Sequence, residues 1–236
     1  MQAIILAGGK GRRLAPYTTV LPKPLMPIGD MPILEVILRQ LKRAGITEVK
    51  MAVGYLAEIM QAFFADGKRL GLKIDYSLEE KPLGTAGPLS LIKDLSSPFI
   101  VMNGDILTDL DFSDLISYHQ DKNAIATVAT YKRHVKIDFG VIETDNDNNL
   151  TGYIEKPSFD YRVSMGIYVF NKEILSYIPY NEYLDFPDLV LKLLADHKKI
   201  VSYPFDGYWL DIGRPDDYAI AIEEFDKKRK MFLPDE

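Results

Sequence analysis

Apolar residues recur along this chain in two rhythms. Residues 4–7 form a short apolar run bounded by glycines, the mark of a buried strand. Ile33, Leu34, Ile37, Leu38 and Leu41 recur instead at helical spacing. Pro32 stands where a helix tolerates proline best, Lys42 and Arg43 suit a last turn, and Gly45 follows. A helix opened by Pro32 and ended by Gly45 is expected. Residues 48–53 read as the next strand, 59–64 as part of a helix closed by Asp66-Gly67, and 72–77 as a further strand. Alternation at this short spacing predicts βαβ units and a mostly parallel sheet. From about Ala124 the rhythm changes to short runs, 124–130, 139–143 and 167–170, separated by turns that include the polar cluster 145–149. These predict partly antiparallel strands, a smaller lobe grown from the same sheet. A helix over 187–197, a strand near Val201 and a last helix from Pro215 onward complete an α/β fold with a mostly parallel mixed sheet.

Composition narrows the classes. The 236 residues suffice for one large α/β domain, and 47% hydrophobic content is ordinary for a globular protein. No apolar run approaches the ~20 residues needed to span a bilayer, and the amino terminus enters a strand without a cleavable signal pattern. Cysteine is absent, which excludes a disulfide framework, a thiol nucleophile and a thiolate metal site, and fits a reducing, cytoplasmic setting. Three histidines, His119, His134 and His197, are too few to favour a histidine metal site. A net charge of −6 argues against general nucleic-acid binding. The run Lys227-Lys228-Arg229-Lys230 reads as the solvated end of the last helix, not as a membrane or nucleic-acid patch.

Against that acidic background the first loop is basic: Gly8-Gly9-Lys10-Gly11-Arg12-Arg13, with Lys23 between two prolines. Glycines let backbone amides approach a ligand, and guanidinium and ammonium groups suit phosphate oxygens. Proline biases the residue before it to extended backbone, so Lys23 is expected on a stiff extended segment. The loop suits a polyphosphate. It is neither G-x-x-x-x-G-K-[ST] nor G-x-G-x-x-G. Residues 98–102 are apolar and stop at Asn103-Gly104-Asp105, and an Asp at the carboxyl edge of a parallel sheet is placed to hold magnesium. Asp211 lies in Tyr208-Trp209-Leu210-Asp211-Ile212-Gly213, where a carboxylate among apolar residues needs pairing or a metal. In Glu155-Lys156-Pro157 the lysine is again expected extended, with Glu155 fit for a sugar hydroxyl and Lys156 for a phosphate. Residues 79–88, Glu79-Glu80-Lys81-Pro82-Leu83-Gly84-Thr85-Ala86-Gly87-Pro88, read as a loop running into a helix start, Gly84 allowing a flat ring close by. If Glu79 or Glu80 faces the base, guanine is preferred. Its N1–H and N2 amine are adjacent donors, whereas uracil and thymine offer one N–H between two carbonyls.

The ordered set 6–14, Pro22-Lys23-Pro24, 82–87, Gly104-Asp105, Phe139-Gly140-Val141, Glu155-Lys156-Pro157 and 209–213 resembles the sugar-1-phosphate nucleotidylyltransferases over essentially the whole chain. Within that family, residues 82–88 look most like mannose-1-phosphate guanylyltransferases, and the short chain is similar to heptose-1-phosphate guanylyltransferases. The resemblance implies a Rossmann-like domain over 1–236, with a nucleotide-binding part to about residue 120 and a sugar-binding part beyond. It implies Mg2+, an NTP (GTP favoured) and a sugar 1-phosphate as partners, and no nucleic acid or membrane. Arg13 and Lys23 would serve the phosphates, and Asp105 and Asp211 the metal. Leu6, Ala7, Gly8, Gly9, Gly11, Glu79, Gly84 and Thr85 would hold the nucleotide, and Asn103, Gly140, Glu155, Lys156 and Ser164 the sugar phosphate. The chain departs from the family pattern at Arg12, where Thr is common, and at Ser164-Met165-Gly166, where mannose-specific members carry Asn-Ala-Gly. The β-helix that follows in many relatives is not expected. The sugar, the base beyond a lean to guanine, and homo-oligomerisation stay open. Rival readings are a uridylyl- or thymidylyltransferase for glucose-type sugars, a glycosyltransferase using Asp109-Leu110-Asp111 as a D-x-D metal pair, and a non-catalytic nucleotide-sugar sensor.

Overall fold

The computed structural model describes residues 1–235. Strand β1 (Gln2–Ala7) leads into a loop of three 3-10 turns, Arg12–Leu14, Tyr17–Thr19 and Lys23–Leu25. A small hairpin of β2 (Pro27–Ile28) and β3 (Met31–Pro32) precedes α1 (Ile33–Arg43). Pro32 is therefore the residue before the helix and not its first. It pairs with Pro27 in the hairpin, which keeps its ψ extended at 151°. Next come β4 (Glu48–Val53), α2 (Ala57–Phe64), β5 (Lys73–Leu78), β6 (Phe99–Asn103) and β7 (Ile106–Thr108). The helix expected to begin near Pro88 is only a 3-10 turn, Gly87–Leu91. After α3 (Phe112–Lys122) the chain forms β8 (Ala126–Lys136), β9 (Val141–Thr144), β10 (Leu150–Ile154) and β11 (Ser158–Phe170). It ends with α4 (Phe186–Ala195), β12 (Ile200–Phe205), β13 (Trp209–Asp211) and α5 (Pro215–Phe232).

Seven strands form the central sheet in the order β12-β8-β11-β6-β1-β4-β5. The pairs β1–β4, β1–β6, β4–β5 and β8–β12 are parallel, and β11 runs antiparallel to both β6 and β8. The chain steps from β1 outward through β4 and β5, then returns to the other side of β1 as β6. That reversal is the switch point where open α/β sheets bind ligands. Because helices cover both faces, β1 and β6 are apolar at successive positions, not alternating ones. Ile5 and Met102 point into a core with Leu34, Ile37, Leu38 and Leu41 of α1. Ile4, Phe99 and Val101 point the other way, onto Leu89 and onto Phe186, Leu189 and Leu193 of α4. A third cluster packs Leu107 and Ile212 against Ala221, Phe225 and Phe232 of α5, so the last helix anchors the β7–β13 ribbon. Among the described residues no helix is long and apolar enough to cross a membrane.

Helix α3 was not expected, because only Phe112, Leu115 and His119 of its face are buried. Its start is set by Asp111, whose carboxylate accepts from the amides of Ser113 (2.8 Å) and Asp114 (3.4 Å). Asp109 accepts from the Tyr208 amide at 2.7 Å. Both carboxylates of the D-x-D pair are thus engaged by backbone, which weakens the glycosyltransferase reading.

His119 is 2% exposed, with Nδ1 2.8 Å from the Thr127 hydroxyl and Nε2 3.2 Å from Asn171 Oδ1. Asn171 donates its amide to the Ala124 carbonyl, so its oxygen faces the ring and the neutral imidazole carries its proton on Nε2. Burial pushes the His119 pKa down, and the Asn171 contact opposes this more weakly. A depressed folded-state pKa means stability is complete above the unfolded value of about 6.5 and is lost as pH falls toward the folded value. Urea unfolding should show stability declining between pH 7.5 and 5.5 in the native protein and a clearly shallower decline in His119→Gln. Equal slopes would contradict the assignment.

Candidate active site

The site is built where β1 and β6 end. Leu6 lies in register with Asn103, and the Gly104 amide donates to the Leu6 carbonyl at 3.1 Å. Two loops far apart in sequence therefore open side by side, the glycine turn after β1 and Gly104-Asp105 after β6. Between them Lys23 reaches Asp105 and pairs with its Oδ2, both side chains mostly buried. Lys23 is not extended as proline at 24 suggested. It opens a 3-10 turn closed by Leu25 N–H to Pro22 (2.8 Å) and Met26 N–H to Lys23 (3.0 Å), and these bonds override the local bias.

Asp211 comes to the same place by a different route. β13 runs antiparallel to β7 with Asp211 opposite Ile106, and the Ile212 amide donates to the Asp105 carbonyl at 3.1 Å. The Asp211 carboxyl is pushed above the usual carboxylate range, first by burial and then by the negative charge of Asp105, while Lys23 and Arg13 pull it down. Arg13 packs over Gly213, two residues on. Two carboxylates and two cations thus share one electrostatic neighbourhood at the carboxyl edge of the sheet.

One atom there is left over. Asp105 Oδ1 is buried without a hydrogen-bond partner. A buried carboxylate oxygen with nothing to accept is costly, and a hard cation is the natural occupant of its lone pairs. No cluster of three or more His, Cys, Asp or Glu occurs among the described residues. The donor set fits an ion that takes one or two carboxylates and completes its shell with ligand oxygens and water, which is the habit of magnesium.

Asp105, Arg13 and Lys23 border a cleft of about 840 Å³ that Leu6, Ala7, Gly8, Gly9 and Gly11 also line. Glu79, Gly84, Thr85 and Asn103 complete this part of the lining. Asp211, an exposed residue, is not part of that lining, although its neighbours Arg13 and Gly213 are. Five basic side chains (Lys10, Arg12, Arg13, Lys23, Lys81) against three acidic ones (Glu79, Glu80, Asp105) make the cleft cationic in an acidic protein. Gly8 allows Glu79 to approach: a Cβ at position 8 would stand 2.4 Å from Glu79 Oε1. Glu79 Oε2 accepts from the Leu83 amide at 3.3 Å, and burial raises its carboxyl above the usual range.

Gly84 adopts φ +78°, and a Cβ there would lie 2.6 Å from the Leu184 carbonyl and 2.8 Å from Asp185 Oδ1. Its glycine character serves the turn and this packing, besides any ring in the cleft. The Thr85 hydroxyl is engaged with Asp185 and with the Phe186 amide.

The expected sugar residues lie elsewhere. Gly140, Glu155 and Lys156 flank the two-stranded β9–β10 ribbon, outside the lining of the cleft. Gly140 abuts the Tyr153 hydroxyl, which donates to Glu155 at 3.0 Å. Lys156 has φ +46° in the reversal between β10 and β11, so it is not extended either. Ser164 meets the Tyr168 hydroxyl at 3.0 Å where the β8–β11 register shifts, and it too is absent from the lining. The structure adds Gly54, Tyr55, Lys81, Tyr183 and Gly213 to the cleft. Gly54 and Tyr55 follow directly on β4, at the same carboxyl edge as the first loop, a placement available from the strand pattern. Nothing local marks Tyr183.

Fold and site define an open α/β protein with a cationic cleft and a carboxylate pair at its switch point. Residues 2–228 match the family model described as Nucleotidyl transferase, and the chain belongs to that family. It is 36% identical over 242 residues to a UTP–glucose-1-phosphate uridylyltransferase of Synechocystis, and 35% identical over 231 residues to a mannose-1-phosphate guanyltransferase of Candida albicans. These alignments cover 94% and 92% of this chain but 62% of each relative, so the chain spans under two thirds of their length. Among solved structures, a putative glucose-1-phosphate thymidylyltransferase of Bacillus anthracis superimposes with a TM-score of 0.76 at 26% identity, covering 94% of both chains. HddC of Yersinia pseudotuberculosis, solved in complex with GMP-PN, gives 0.71 at 26% identity, covering 95% of this chain and 99% of that one.

Two glycine substitutions separate strain from open space. Gly84→Ala should lower stability by about 1–3 kcal/mol through its left-handed backbone and the Leu184 carbonyl. Gly9, with nothing within 4 Å of an added Cβ, should accept alanine with little change. Matching urea midpoints for the two variants would contradict this account of the wall.

Proposed function

We propose that this chain transfers a nucleotidyl group from an NTP to a sugar 1-phosphate, giving an NDP-sugar and pyrophosphate. The preferred pair is GTP with mannose 1-phosphate or a manno-configured heptose 1-phosphate. The observation that carries this reading is the convergence of the cationic glycine turn with Asp105 and Asp211, the first leaving a buried oxygen unpartnered. Curated relatives named for sugar-1-phosphate nucleotidyl transfer support it.

On this reading the amides of residues 8–11 and the side chains of Arg13 and Lys23 hold the β- and γ-phosphates. A sugar-phosphate oxygen attacks the α-phosphorus in line, one P–O bond forms, the bond to the β-phosphate oxygen breaks, and pyrophosphate departs against the cations. The attacking phosphate is already an anion, so no general base is required. Asp105 and Asp211 would hold a magnesium ion, which would supply neutralisation of phosphate charge. Glu79, beside Gly8 and Leu83, would accept from the guanine N1–H and N2 amine, with Gly84 against the ring. Asn103, which lines the cleft, and Gly140, Glu155, Lys156 and Ser164, which lie outside it, would serve the sugar phosphate. A uridylyl- or thymidylyltransferase acting on a glucose-type sugar is the second reading, favoured by the names of the Synechocystis and Bacillus relatives.

A grid of NTPs against mannose, glucose, glucosamine and heptose 1-phosphates, scored by pyrophosphate release, should give its highest rate with GTP and a manno-configured sugar. Binding without turnover anywhere in the grid would indicate a sensor. Asp105→Asn and Asp211→Asn should each lower turnover by about 100-fold or more while unfolding normally. Near-native rates in both would remove the metal assignment. Glu79→Gln exchanges an acceptor for a donor–acceptor amide, so the GTP-to-UTP ratio of kcat/KM should fall about tenfold; an unchanged ratio would take Glu79 away from the base.

A further inference from the structure

The wall of the cleft formed by residues 82–88 has no strand or α-helix of its own. It is held by a segment almost exactly a hundred residues later, the stretch before α4. The Leu184 amide donates to the Leu83 carbonyl at 3.0 Å, and the amides of Ala86 and Gly87 donate to the Leu184 carbonyl at 2.9 and 3.0 Å. Those bonds are backbone to backbone, and any residue but proline could donate them. Asp185 adds what only its side chain can.

Asp185 occupies the N-cap position of α4, where an aspartate ordinarily accepts from the helix's own first amides. Here it makes no such bond. Its Oδ1 accepts instead from the Thr85 amide at 2.9 Å and the Thr85 hydroxyl at 3.1 Å. Thr85 returns the favour, its hydroxyl oxygen accepting from the Phe186 amide at 2.9 Å. The second carboxylate oxygen accepts from the Tyr183 hydroxyl at 2.5 Å. That bond, foremost among several, holds the Asp185 carboxyl below the usual range and keeps it an acceptor pair at neutral pH. Thr85 and Tyr183 both line the cleft, whereas Asp185 stands behind them. One carboxylate therefore sets two pieces of the rim, and the exposed Tyr183 ring is fixed relative to the Gly84-Thr85 turn.

We propose that Asp185 is a positioning residue for the nucleotide base, acting through Thr85 and Tyr183 to fix the rim that the base must fit. This rests on the reading above, in which the base lies against Glu79 and Gly84. On that reading the reacting phosphates are held by Arg13, Lys23 and Asp105, none of which belongs to the Asp185 network. Loss of Asp185 should therefore be felt in nucleotide affinity and base choice and not in the chemical step.

The test compares Asp185→Ala, Asp185→Asn and Thr85→Val with the native chain, by steady-state kinetics and by calorimetric binding of GTP and UTP with Mg2+. Asp185→Ala should raise the KM and Kd for GTP about tenfold and reduce the GTP-to-UTP preference several-fold. Its kcat and its KM for the sugar 1-phosphate should stay within about twofold. Asp185→Asn keeps an acceptor for Thr85 and should recover most of the affinity. Thr85→Val keeps the amide bond and loses the hydroxyl, so its nucleotide KM should rise about threefold, which carries the test if Asp185→Ala does not fold. Unchanged Kd and base preference in Asp185→Ala, or in Thr85→Val when the former is unfolded, would overturn the proposal. So would a loss confined to kcat in proportion to unfolded protein. If the native chain itself binds neither nucleotide, the reading of its function fails and this inference falls with it, an outcome distinct from a native chain that binds and a variant that binds equally well.

Discussion

The in-register adjacency of two parallel strand ends, β1 at Leu6 and β6 at Asn103, is the constraint on which the rest of the site depends. A parallel neighbour cannot be reached by a tight turn, so the chain must leave β1, build β4 and β5, and come back on the other side. The return places a loop rich in glycine and cations beside a loop that ends in a carboxylate. Both strands are buried on two faces, by α1 on one and by α4 and its preceding segment on the other. The edge they present is consequently rigid, and the loops are the only parts free to carry chemistry.

The ion pair of Lys23 and Asp105 shows what such a site costs. Two charges taken out of water lose several kcal/mol of solvation apiece, and their attraction returns roughly the same amount. The pair is thus a weak contributor to stability, and Asp105 Oδ1 remains unsatisfied beside it. Asp211 adds a second carboxylate, raised first by loss of solvent and then by the charge of Asp105, with Lys23 and Arg13 opposing both. A ligand that brings a divalent cation to the carboxylates and phosphate oxygens to Lys23 and Arg13 would satisfy all four groups at once. Free-state frustration of this kind is a common signature of a binding centre.

Much of the fold could be read from pattern alone. Strand β4 is bounded at Glu48 and Val53 as its apolar run suggested, and α4, β12 and α5 lie within a few residues of expectation. The failures have local causes. Helix α3 buries too narrow a face to raise a periodic signal, and its cap, Asp111, resembled half of a metal pair. Lys23 and Lys156 were expected extended because proline follows each, but turn hydrogen bonds decide the first and a chain reversal the second. The glycine loop was legible because its residues are contiguous. The partnership of Thr85 with Asp185 was not, since a hundred residues separate them and neither carries a motif that points to the other.

The most direct test of a single metal-bound triphosphate at this edge is electron paramagnetic resonance with Mn2+ as the reporter ion and a non-hydrolysable NTP analogue. One Mn2+ per chain should bind weakly to the free protein and tightly once the nucleotide is present, because two carboxylates supply too few ligands alone. Tight binding should disappear when Asp105 and Asp211 are both replaced by Asn. Nucleotide bound equally well in the presence of a chelator, or Mn2+ retained tightly by that double variant, would contradict the account.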